Sequence, residues 1–479
     1  MKIELLGGYT KDELDSRIRT VASAGKLSRF PGNVLEVVES CNDTEKNTNL
    51  VKRIIGMGHK SIIEHDYLVF ALCDVTPIVE QTIIGNRLTS FTIKSRREVD
   101  FRNAGFYIPE FRDKNMNVHI NNKELQEKYV SHMKYLFNTY GDIVDFGINV
   151  EDARFVLPYS YHSNIIMGLD ARELEKLTVS LLAGNLSRIS ELKELGTELF
   201  NIIKESVPYL VESLEKELAK TSSTNPFEYL ENTIKRPDIS IIDKPHLISY
   251  TPNSDDVILN SAIMYHYQCN KEQAQAIMTE AEKTDSNFKE NLMDIILHKE
   301  ERRELEQVQF TFQIPISLSI LTHLTRHRMH SLLVPEFLPM WDLNNYITPA
   351  TIKAHTDATK LYLDSVKKNI EVFEEFKNSD IFEEDLIYFY LGCQMLNVVT
   401  TLNARSAQWI SRQRCCNKAQ WQIRNITKEM VKQIQEVSPM FGKGLGATCM
   451  TDLICNEGKE CCGLINSLLE AKKKKEENN

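Results

Sequence analysis

The hydrophobic positions of this chain follow two periods. From Gln309 to Ile314 (QFTFQI) apolar and polar residues alternate and aromatics are frequent, which predicts a strand. Pro315 then fits the first position of a helix, where its fixed φ is suitable and its missing N–H is not needed. That helix, ISLSILTHLTRHR, is apolar along one face and closes on Arg326, His327 and Arg328, cations that suit a helix C-terminus. Ile381 to Val399 is apolar and predicts a buried segment. Lys418 to Val437 (KAQWQIRNITKEMVKQIQEV) is amphipathic at helical spacing. The coarse order is helix, strand, helix, loop, then long helices, so the predicted class is α+β or mixed α/β.

The pattern occurs twice. Ile3-Glu4-Leu5 with Tyr9-Thr10 opens the first half, and His246-Leu247-Ile248-Ser249-Tyr250-Thr251-Pro252 opens the second in a similar way. Glu64 to Phe70 (EHDYLVF) parallels Glu306 to Phe312 (EQVQFTF), 242 residues on. Arg87-x-x-Ser90 parallels Arg328-x-x-Ser331 at 241, and Asp170-Ala171-Arg172 parallels Asn403-Ala404-Arg405 at 233. Val207-Pro208 parallels Ser438-Pro439 at 231. A fixed order with a slowly shrinking offset is what small loop deletions produce in a duplicated module. The join holds Thr221-Ser222-Ser223-Thr224-Asn225-Pro226, a polar, turn-rich stretch. The expected organisation is a first module over 1–222, a linker over 223–239 and a second module over 240–479.

Composition changes this picture little. The chain has 479 residues, 42% hydrophobic and 26% charged, as in soluble proteins with sizeable cores. A net charge of −10 argues against a general nucleic-acid surface. No run has the length and apolarity of a membrane helix, and MKIELLGGYTKDELD turns acidic too soon for a secretory leader, so the expected location is the cytoplasm. Ten cysteines are present, with Cys449, Cys455, Cys461 and Cys462 close together and Cys415-Cys416 upstream. Four thiolates can hold zinc or an iron–sulfur cluster, but the spacing lacks a Cys-x-x-Cys pair, and reduced thiols in a turn are the expectation. The AKKKKEENN tail reads as a solvated, frayed end.

The chemistry-bearing feature is Arg326-His327-Arg328-Met329-His330-Ser331, whose counterpart in the first half is the broken Gly85-Asn86-Arg87-Leu88-Thr89-Ser90. Guanidinium groups bind phosphate oxygens in a bidentate way. Alone, the triplet serves equally well as a surface ion-pair cluster. Its companions are Asn403-Ala404-Arg405-Ser406, Arg414 and Ala419-Gln420-Trp421-Gln422-Ile423-Arg424 in the second half. The first half has His59-Lys60-Ser61-x-x-Glu64-His65, Ser95-Arg96-Arg97 and Glu151-Asp152-Ala153-Arg154-Phe155-Val156-Leu157-Pro158.

With these motifs in order over nearly its whole length, the chain resembles the flavin-dependent thymidylate synthase family, twice over. The resemblance implies a helix-flanked mixed sheet. It implies FAD as cofactor, with NADPH and methylenetetrahydrofolate as co-substrates and dUMP as the nucleotide that receives a one-carbon unit at C5. It also assigns roles. His59, Ser61 and Glu64, with Arg326, His327, Arg328, Asn403 and Arg405, match flavin contacts. Ser95, Arg97 and Arg154 match ligands of the substrate nucleotide, and Arg414 matches the arginine that faces the pyrimidine and stabilises charge on it. The losses are complementary. The first copy has Leu181 where Arg414 is expected, and the second has Ile387 where Arg154 is expected and Glu336-Phe337-Leu338 in place of Ser-x-Arg. The expectation is a homodimer in which the first half serves the substrate phosphate and the second the flavin and base. Two alternatives remain: the same flavin chemistry on another pyrimidine nucleotide or nucleoside, and a non-catalytic nucleotide-binding relic.

Overall fold

The computed structural model describes residues 1–7, 14–222, 228–235, 237–238, 240–336 and 342–477. Tyr9, Thr10, Ser223, Thr224, Asn225, Pro226, Phe337 and Leu338, used in the sequence comparison, lie outside them.

The first repeat runs β1 (Lys2–Gly7), β2 (Tyr67–Val75), α1 (Pro77–Gly85), β3 (Ser90–Ile93), α2 (Asn122–Asp145), β4 (Ser163–Asp170), α3 (Ala171–Ala183) and α4 (Ser190–Ser206), with further helices between. The second runs β5 (His246–Tyr250), β6 (Gln309–Ser317), α5 (Leu318–Thr325), β7 (Ser331–Leu333), α6 (Thr356–Lys377), β8 (Met395–Asn403), α7 (Ala404–Arg414) and α8 (Trp421–Val437). The sheets have the orders β1-β2-β4-β3 and β5-β6-β8-β7. Every named strand pair is antiparallel, so the two-copy α+β class holds and the pairing is antiparallel where a mixed sheet was implied. Each repeat also opens on a strand, where the coarse reading began with a helix.

Matched side chains repeat matched contacts. Arg172 pairs with Glu64, and Arg405 with Glu306 at 2.6 Å. Thr76 Oγ1 donates to Glu191 at 2.6 Å, and Ser317 Oγ to Gln422 at 2.5 Å. These contacts join the start of one helix to another helix of the same repeat, which is how a shared ancestry becomes visible in three dimensions.

Strand β6 alternates as expected, with Phe310, Phe312 and Ile314 fully buried. It then runs through Pro315 to Ser317, and α5 starts only at Leu318. The register with β5 ends at Gln313, so Pro315 has a single strand neighbour, in β8, and its missing N–H is tolerated there. The expected proline at a helix start occurs instead in the first repeat, as Pro77 of α1. Ile381 to Val399 is buried but divides into a 3-10 turn, Glu383–Phe389, and the start of β8. The tail read as frayed continues a helix, Leu464–Glu477.

The compact units do not follow the consecutive modules 1–222 and 240–479. One unit comprises Met1–Ile239, Phe337–Asn344 and Thr348–Gln394; the other comprises Ser240–Glu336, Asn345–Ile347 and Met395–Asn479. Helix α6 of the second repeat therefore belongs to the first unit, where it packs on α2. His132 and Asn369 hydrogen-bond across these helices at 2.9 Å, and Phe389 packs among Tyr129, Phe373 and Phe376. Arg112 clamps Asp385 through its backbone N–H at 2.8 Å and Nη2 at 2.5 Å. A buried carboxylate is costly without such a partner, which makes this junction specific.

Candidate active site

In the second unit the Arg-His-Arg segment leaves α5 directly. Arg326 caps the helix and is exposed, His327 is buried, and Arg328 is exposed again. The buried ring accepts a hydrogen bond at Nε2 from Arg414 Nε, 3.0 Å away, at the other end of α7's sequence. Burial, then repulsion from Arg414, pushes the His327 pKa down to about 3. The imidazole is thus neutral at physiological pH, with its proton on Nδ1 because Nε2 is the acceptor. His330 Nδ1 lies 2.6 Å from Thr400 Oγ1, and Met329 O accepts from Ser406 Oγ at 2.9 Å. The segment is therefore held against both ends of α7.

Helix α7 carries the other expected ligands. Asn403 is its N-cap, accepting from Ser406 N at 2.8 Å, and Arg405 is held by Glu306. Asn403 and Arg414 are eleven residues apart, about 16 Å along a helix axis. The donors span a length suited to a dinucleotide, and the guanidiniums of Arg326, Arg328, Arg405 and Arg414 suit phosphate-bearing ligands. This donor set fits FAD.

In the first unit a second cationic cluster surrounds Glu151. Arg97, in the turn after β3, ion-pairs with Glu151 and donates its backbone N–H to Ser95 Oγ at 3.3 Å. Arg154, buried at the start of a 3-10 turn, donates Nε to Glu151 O at 3.1 Å. Burial and then repulsion from Arg96 push its pKa down to about 10. Arg96 is buried as well; burial opposes its charge, and Glu80 at 2.5 Å and Tyr161 more than offset this. Arg96, Arg97 and Arg154 are thus gathered in one cluster with the Glu80 and Glu151 carboxylates.

His59, Ser61 and Glu64 lie around a 3-10 turn, Lys60–His65, and are exposed. Of these, Glu64 is engaged by Arg172. Leu181 and Ile387, at the matched positions of Arg414 and Arg154, are fully buried in apolar packing. Sequence reasoning did not single out Arg96, Glu80 and Tyr161, or His330 with Thr400. Arg96 and His330 stand within the quoted motifs and had a signal; Glu80, on an apolar helix, had none.

At the C-terminal cysteines, Lys418 N donates to Cys416 Sγ at 3.5 Å, Asn417 Nδ2 to Cys462 Sγ at 3.6 Å and Gly463 N to Cys461 Sγ at 3.4 Å. Among the described residues no group of three or more His, Cys, Asp or Glu side chains is placed to hold a metal ion. No described helix is long and apolar enough to cross a membrane.

A family model described as thymidylate synthase complementing protein matches residues 12–209 and again 246–440. The chain belongs to this family, that of the flavin-dependent thymidylate synthases, and carries its module as a tandem duplication. A flavin-dependent thymidylate synthase of Clostridium tetani is 25% identical over 239 residues, 46% of this chain and 93% of the relative. One of Thermococcus onnurineus is 30% identical over 179 residues, 36% of this chain and 68% of the relative. A solved flavin-dependent thymidylate synthase from Helicobacter pylori, complexed with FAD and dUMP, is 18% identical at a TM-score of 0.32, covering 42% of this chain and 93% of that one.

Proposed function

We propose that the protein is the enzyme that transfers a one-carbon unit from methylenetetrahydrofolate to C5 of dUMP and reduces it, giving dTMP. FAD would supply hydride and one-carbon transfer, with NADPH as reductant. The observation that carries this reading is the contact between His327 and Arg414, since it joins the residue matched to the flavin with the one matched to the pyrimidine.

The protein's own part is positioning and electrostatics. Asn403, Arg405, Arg326, His327 and Arg328 bind the flavin, with His59, Ser61 and Glu64 as further contacts. Ser95, Arg97 and Arg154 hold the nucleotide, with the arginines on its phosphate as permanent cations. Arg414 meets the negative charge that builds on the pyrimidine ring. His327, locked neutral, orients the Arg414 guanidinium without competing for a proton. The working assembly is a homodimer, to be checked by light scattering.

Purified protein is expected to show an oxidised-flavin absorption spectrum and to release tritium from C5-labelled dUMP only with methylenetetrahydrofolate and NADPH. Bound flavin without tritium release would overturn thymidylate synthesis and leave another pyrimidine substrate.

His327 also makes a stability prediction. Its folded pKa is depressed from 6.5 to about 3, so the unfolded chain binds the extra proton between those values. Stability is then full above 6.5 and falls as pH drops through that window. His327→Gln keeps an acceptor for Arg414 and is expected to flatten this acid limb in urea unfolding measured from pH 7 to 4. An unchanged limb would mean that other groups set it.

A further inference from the structure

A third cationic cluster has no assigned role. Arg302 precedes the 3-10 turn Arg303–Gln307, and Arg412 lies on α7, one turn past Gln408. The Nε atoms of both, and Thr451 Oγ1, are buried without a hydrogen-bond partner among the described residues. Arg302 Nη1 reaches Gln408 Oε1 only at 3.4 Å. Arg412 Nη2 donates to Asp452, beside Thr451, at 3.0 Å. Burial, then repulsion from Arg412, lowers the Arg302 pKa. Buried N–H groups without acceptors cost more than hydrogen bonds return elsewhere, so an added acceptor is favoured here.

The duplication supplies an internal control. At the offsets that match Glu64 to Glu306 and Arg172 to Arg405, Arg302 corresponds to Lys60, Gln408 to Glu175 and Arg412 to Val179. In the first repeat Lys60 is neutralised by Glu175 at 2.7 Å. The second repeat has lost that carboxylate and gained a second arginine, and Asp452 offsets one of the two charges. Removing a counter-ion while adding a cation at a half-buried place is what a site for an exchangeable anion requires.

We propose that Arg302, Arg412 and Thr451 line an oxyanion-binding site in the second unit that takes a phosphoryl or carboxylate group. It does not depend on the one-carbon chemistry. Two guanidinium edges offer the planar donors that both anions accept, and the threonine hydroxyl adds a third.

Thermal unfolding of the full chain tests this, with inorganic phosphate in one arm and triglutamate in the other, each against chloride at equal ionic strength. A rise of a few degrees with one or both anions is expected, and the arm that responds names the ligand class. Arg412→Val and Arg302→Lys install the first-repeat residues. Arg412→Val is expected to weaken the responding anion at least tenfold. Arg302→Lys keeps the charge, loses the planar fork and is expected to weaken it less. Circular dichroism of the unliganded variants separates lost binding from lost folding. No anion-specific rise in the parent, or an equal rise in folded Arg412→Val, would overturn the proposal.

Discussion

Arg414→Ala is expected to lower turnover about 10²- to 10³-fold, the usual cost of removing a preorganised donor aimed at developing charge. Arg414 closes α7, and its Nε is fixed on His327 Nε2 at 3.0 Å. The histidine cannot compete for the charge, because burial and the arginine itself hold it neutral. The guanidinium is therefore oriented by this contact before reaction begins. Charge on the pyrimidine is largest in the transition state, so kcat should fall by more than the KM for dUMP rises. Arg414→Lys keeps a cation but gives up the fork that His327 orients, and should fall between parent and alanine variant. Steady-state kinetics with the flavin spectrum as a folding control decide the matter. Turnover within tenfold of the parent in Arg414→Ala would remove the residue from catalysis.

Much of this was legible in the sequence because duplication leaves paired signals. The offsets matched Glu64 to Glu306 and Arg172 to Arg405, and the fold makes the same ion pair between the matched residues in each repeat, a pairing the sequence did not show. The apolar replacements Leu181 and Ile387 were legible for the same reason, and both have joined the core. What failed depended on partners distant in sequence. The start of α5 was misplaced because Pro315 suits a helix start, and only the end of the β5 register at Gln313 shows why a strand tolerates it. The transfer of α6 to the first unit goes with its packing on α2, where Asn369 meets His132, 237 residues away, which no local pattern encodes. In the cluster around Arg96, Glu80 and Tyr161 were invisible because one lies on an apolar helix and the other on an isolated bridge to Phe106, and only the buried charge of Arg96 brings them together.

Arg154→Ile should separate ligand binding from folding in the first unit. The second repeat already carries an aliphatic residue, Ile387, fully buried at the matched position, so the local backbone accepts one. In the unliganded protein burial and Arg96 oppose the charge of Arg154 and bring its pKa down to about 10, against the attraction of Tyr161 and Glu151. Its Nε bond to Glu151 O offsets part of that, while the Glu151 carboxylate keeps Arg97 as its partner after the substitution. Replacing a buried ionic group by a packed hydrophobic side chain is often neutral, so urea unfolding without ligand should show little loss of stability. Nucleotide binding should respond in the opposite direction. Removing one partner of a buried, charge-assisted contact costs about 2–5 kcal/mol, which weakens dUMP roughly 30- to several-thousand-fold. Calorimetric titration of dUMP into the folded variant measures this directly. Full stability with affinity within threefold of the parent would show that Arg154 has no part in holding the phosphate, and the cluster around Glu151 would then be scaffold.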